Sequence, residues 1–225
     1  MTPDLPLPRR DRLTAPKAAA IAGILFSGLF ITSLVLFLAA LPANTTTSEI
    51  VNTHRQTLTV GLNLLPFAGI AFLWFMGVVR DRLGSSEDQF FSTVFLGSGL
   101  LFIAMLFTGT AVMGSLLKLY ASEPNPQIAA SYYAIGRTFA QEIVINYAIR
   151  AAGVFMISTA TLFLRTGVLP RWLSFLGYGL ALVMLFRVGH IDRLGWVVLF
   201  LPLWILLISV YVLIDNYRRQ VKTVL

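Results

Sequence analysis

The chain has 225 residues, 57% of them hydrophobic and only 12% charged, whereas a soluble domain is about half apolar and a quarter charged. That balance excludes an ordinary soluble domain, and the absence of Cys excludes disulfides, thiolate metal sites, cysteine nucleophiles and iron–sulfur clusters. The formal net charge of +7 does not point to nucleic acid, because most Lys and Arg flank apolar segments, where membrane topology puts them.

Residues 1–17 form a polar tail with Pro3, Pro6, Pro8 and Pro16 and a basic group of Arg9, Arg10, Arg12 and Lys17. Prolines at that spacing argue against a helix. Ala18 to Leu41 is an apolar run without a charge, longer than a signal-peptide core, and it reads as a retained first span rather than a cleaved leader. A Thr-rich loop with Glu49, His54 and Arg55 leads to a second span over residues 58–79, with Asn63 near its start and Pro66 expected to kink it. A charged turn from Arg80 to Asp88 precedes the third span, 91–117, which carries Gly97, Gly99, Gly109 and Gly114.

Lys118 to Arg137 reads as the longest internal loop, broken by Pro124 and Pro126, with a short interfacial helix from Gln127 to Ile135. The fourth span, 138–164, begins TFAQEIVINYAIRAAGVFM and is the most informative stretch. Arg165 to Arg171 is a turn, Trp172 to Gly189 a short fifth span, and residues 194–214 a sixth that holds Pro202. Residues 215–225 are a basic tail with Arg218, Arg219 and Lys222.

The expected fold is therefore an all-α integral membrane protein, a six-transmembrane-helix bundle over 18–214. The basic residues gather in both tails and in the turns at 80–90 and 165–171, so both termini are expected to be cytoplasmic. Ala19, Gly23 and Ser27 recur every fourth residue on the first span, a face suited to close helix contact, either internal or between protomers. Trp172, Trp196, Tyr120, Tyr132, Tyr133 and Tyr217 fit interfacial aromatic belts, and the remaining Phe and Trp are expected to face lipid.

Glu142, Asn146 and Arg150 are four residues apart and form one slowly drifting polar stripe on the fourth span. Ionisable groups at membrane depth are costly and usually face a protein interior or a wet cavity. The span boundaries place Glu142 one turn below the outer surface and Arg150 near the midplane. Arg187 and Asn63 fall near the depth of Glu142, while His54, His190 and Asp192 stand at the mouth. A packing role pairs Glu142 with Arg187, bonds Asn146 across to a neighbouring helix, and gives Arg150 backbone carbonyls opened by a kink such as the one at Pro66. A binding role starts from one carboxylate facing two guanidiniums, an excess of positive charge that a bound carboxylate, phosphate or anionic lipid headgroup would complete. A proton relay through Glu142 and ligation by the two histidines are further readings of the same residues.

Two segments carry a resemblance. The turn Leu169-Pro170-Arg171-Trp172-Leu173 between apolar spans, and the span exit from Phe72 to Gly84, resemble those of bacterial multi-pass membrane proteins of unknown function. The resemblance implies a bacterial cytoplasmic membrane and brings no catalytic residues. The leading expectation is a non-enzymatic membrane protein without a cofactor or metal. Its outward-facing polar pocket would bind or pass an anionic small molecule or lipid headgroup, through Glu142, Asn146, Arg150, Arg187 and Asn63. The alternative is an accessory subunit of a homo-oligomer or larger membrane complex, with the polar cluster as packing.

Overall fold

The computed structural model describes residues 15–40, 47–83, 89–186 and 194–224, and these are almost wholly helical. They form α1 (Ala15–Ala40), α2 (Thr47–Leu83), α3 (Gln89–Ser122), α4 (Pro126–Glu142), a π-helical segment (Ile143–Ala148) and α5 (Ile149–Thr166). After these come α6 (Arg171–Phe186), a short 3-10 helix (Leu194–Leu199) and α7 (Phe200–Val224). Five helices are long and apolar enough to cross a membrane, the unit from Pro126 to Thr166 counting as one. The described part of α6, 16 residues, is shorter than such a span.

The stretch expected as the longest loop is shorter than that: α3 runs on to Ser122, and the helix expected from Gln127 to Ile135 is the first part of α4. Asn125 caps α4, its side chain accepting from the Gln127 and Ile128 amides at 3.0 and 3.4 Å, and Pro126 sits in the first turn, where its missing N–H costs nothing. The helix then runs on without a break through the π segment into α5. It ends at Gly167, whose φ of 64° lets its amide donate to Phe163 O at 3.0 Å.

The core lies around α5, in which eleven of eighteen residues are buried. α5 packs on α3 and α6, while α1 packs on α2 and α7. The centre is an aromatic cluster, contrary to the expectation that Phe faces lipid. Phe72 on α2 meets Phe26 of α1 at 4.9 Å, Phe155 of α5 at 5.0 Å and Phe102 of α3 at 5.4 Å between ring centroids. Trp204 of α7 is also fully buried, over Gly177 of α6, and its indole N–H donates to Leu173 O at 3.0 Å. Tyr133 is likewise no belt residue: it is 1% exposed, in a second, smaller cluster with Ala40, Leu58, Leu62 and Leu117.

Small hydroxyl side chains tie the helices together. Ser27 Oγ of α1 lies 2.8 Å from Pro202 O of α7, Ser33 of α1 donates to Gly61 O of α2 at 2.7 Å, and Thr161 of α5 meets Tyr178 of α6 at 2.7 Å. The face of Ala19, Gly23 and Ser27 is thus an internal contact between α1 and α7. Arg165 closes the α5 end by lying over the Phe91 ring at the start of α3, 4.6 Å from its centroid.

Candidate functional site

In a regular α-helix, side chains four residues apart drift around the axis. The π segment changes this winding: the Ile149 amide reaches back five residues to Val144 O. The wider turn offsets the drift and stacks Glu142, Asn146 and Arg150 into a ladder. The Asn146 amide nitrogen donates to the Glu142 carboxylate. Arg150 Nη1 donates to Asn146 O at 2.6 Å and to Asn146 Oδ1 at 3.1 Å.

The order of donors and acceptors is dictated by chemistry, since a carboxylate only accepts and a guanidinium only donates. The Asn146 amide is the one group that can serve both neighbours, nitrogen toward Glu142 and oxygen toward Arg150. The carbonyl that Arg150 takes belongs to the helix irregularity in its own chain segment, not to one opened at Pro66. Arg150 Nε and Nη2 make no hydrogen bond among the described residues.

The ladder is on the outside of the bundle. Glu142 and Arg150 are exposed and Asn146 is partly buried, while Ala148, Ile149, Ala151 and Ala152 turn inward. Asn63 is exposed on α2 and His54 is partly buried on the same helix, and neither hydrogen-bonds to the ladder. Arg187, His190 and Asp192 lie outside the described residues. The structure therefore joins three of the five expected ligand-binding residues into one unit and leaves Asn63 apart from it.

On the adjoining face of the same helical turns is a cavity of about 220 Å³. It is open on one side; Ala140, Gln141, Val144 and Ile145 form one wall, and α1, α2, α3 and Val198 of the 3-10 helix form the others. Its surface is almost entirely apolar, and Asn63, Glu142, Asn146 and Arg150 do not line it. Sequence reasoning passed over this feature because its walls are ordinary apolar side chains. Ser33, Thr110 and the exposed Gln141 are the polar residues of its lining.

Comparison with protein-family profiles, curated protein sequences and solved structures finds no match to this chain.

Proposed function

We propose that this chain is a non-enzymatic multi-pass protein of a bacterial cytoplasmic membrane that binds an anionic group, a lipid phosphate or a small carboxylate or phosphate, at Arg150. The observation that carries the proposal is the state of that side chain. One guanidinium nitrogen is held by Asn146, while the rest of the fork is exposed and has no hydrogen bond among the described residues. A guanidinium held in this way offers parallel donors to a phosphate or carboxylate at little further cost in side-chain entropy.

Depth supports the same reading. With Arg165 at one headgroup level, Arg150 lies fifteen residues along the helix, about 22 Å at 1.5 Å per residue. Helical side chains lean toward the N-terminus, and the guanidinium accordingly sits at the level of Asn146, roughly 28 Å along on the same measure. The hydrocarbon core is about 30 Å thick. Arg150 thus snorkels to the far headgroup region instead of sitting at the midplane. With both termini cytoplasmic, that region is the outer leaflet.

Native mass spectrometry of the detergent-purified protein, with phosphatidylglycerol and phosphatidylcholine added in turn, tests the site. Arg150→Gln keeps a donor for Asn146 and removes the charge. A charge-assisted hydrogen bond is worth about 1.5–3 kcal/mol, so the variant is expected to bind phosphatidylglycerol roughly 10–100-fold more weakly. Equal retention of phosphatidylglycerol by both proteins would refute the site.

A second reading has its own support. The ladder faces away from its own core, so a helix of a larger assembly can cover it as well as a headgroup can. The same spectra separate the two: a particle that loses protein mass in Arg150→Gln, with lipid retention unchanged, identifies a subunit interface.

A further inference from the structure

We infer that the cavity between α1, α2, α3 and the α4–π wall holds a single hydrocarbon chain of a membrane amphiphile, whose head emerges beside Gln141 at the ladder. The location of the head rests on the Arg150 reading above, whereas the location of the chain does not.

Water needs two to four polar partners to stay in a buried site. Of the polar residues on the wall, Ser33 gives its hydroxyl proton to Gly61 O at 2.7 Å and Thr110 gives its own to Leu106 O at 2.7 Å. Gln141, at the edge of the wall, is left as the only polar side chain there whose donors are not already committed. A volume of about 220 Å³ would need several waters, and two hydroxyl oxygens that can only accept, with one amide at the edge, cannot give each of them that many partners.

An empty cavity is no better. Apolar cavities of about 150 Å³ take up benzene when it is offered, because every wall atom facing a void forfeits dispersion contacts. On the depth given above the cavity lies at the outer edge of the hydrocarbon layer, where the hydrocarbon on offer is a lipid tail. The shape agrees: the wall runs from Leu106 to Met113 of α3, about 10 Å of helix rise, which suits an extended chain rather than a compact ring system. Gln141 and Glu142 are consecutive, so a chain leaving past Gln141 brings its head to the turn that starts the ladder.

The test is photolabelling of the full-length protein in vesicles of phosphatidylglycerol and phosphatidylethanolamine, with a trace of either lipid carrying a diazirine at its chain terminus. Leu65 and Leu106 line the cavity and are 7% and 4% exposed, so only a chain inside the bundle reaches them. Label at Leu65 and Leu106 is the expected result. Label confined to lipid-facing positions such as Leu100, Leu101 and Leu203, with none at those two, would overturn the inference.

Ala140→Phe and, from the opposite wall, Thr110→Leu should each lower label at Leu65 and Leu106 by an order of magnitude while leaving the lipid-facing label unchanged. If both variants fold and the internal label persists in both, the inference also fails. Arg150→Gln separates the two readings. Internal label with a preference for phosphatidylglycerol that disappears in Arg150→Gln supports both. Internal label that is indifferent to headgroup and to Arg150→Gln supports the chain site and removes the headgroup site.

Discussion

Phe72→Ala is expected to be among the most destabilising single substitutions in the chain, lowering unfolding free energy by about 2–4 kcal/mol through the cavity left and the aromatic pairs lost. Phe72 is fully buried, with four ring neighbours: Phe26, Phe75, Phe102 and Phe155. In a soluble core much of the cost would be transfer of the ring to water. Lipid tails are as apolar as the protein interior, so that part largely vanishes here and packing carries the effect. Phe67 supplies the control, since it is on the same helix but 62% exposed. Phe67→Ala should shift the unfolding midpoint in mixed micelles only slightly. Equal shifts for the two variants would mean that the aromatic cluster does not form the core.

Gly23→Ala is expected to loosen α1 from α7 and to cost about 1–3 kcal/mol, as overpacking of a tight contact does. A Cβ at position 23 would run into Ser209 Oγ and would approach Phe75 Cδ2 and Ile205 Cγ2 to 3.1 and 3.2 Å. Ser209 Oγ is buried without a hydrogen-bond partner among the described residues, so deleting it sacrifices no hydrogen bond seen there. Ser209→Ala alone should therefore be near neutral, and added to Gly23→Ala it should restore most of the loss. That non-additivity, read from a double-mutant cycle, is the signature of the contact. A strictly additive pair would place the strain elsewhere.

Composition and apolar length were enough to read the helical class and most of the long segments. The helix expected from Gln127 is present as the start of α4, with Asn125 before Pro126 as its cap, but its unbroken run into the following span was not read. The polar residues Arg137 and Gln141 hid that continuity from a reading based on hydropathy. Spacing alone put Glu142, Asn146 and Arg150 on one face, and the ladder has them there. Nothing in IVINYA announces a π turn, since that depends on which carbonyl each amide selects. The direction the ladder faces was hidden for a related reason. Helix rotation is set by where Ala148, Ala151, Ala152 and Gly153 meet their neighbours, and one chain read alone does not show those neighbours. The Phe residues show the same limit: Phe67 and Phe72 are alike in sequence and opposite in burial.

Helix length has a consequence for the outline of the molecule. α2 has 37 residues, α3 has 34 and the rod from Pro126 to Thr166 has 41, so each extends about 50–60 Å at 1.5 Å per residue. A hydrocarbon slab of about 30 Å cannot contain them at ordinary tilts. Arg165 lies over Phe91 at one end of α5 and α3, and Val79 of α2 lines a small cavity with Phe163 at that same end, while Leu58, Leu117 and Tyr133 form a small core of their own at the other. With Arg165 at one headgroup level, as proposed above, the profile is lopsided, and the surplus helix rises beyond the opposite leaflet as a turret some 20–30 Å high.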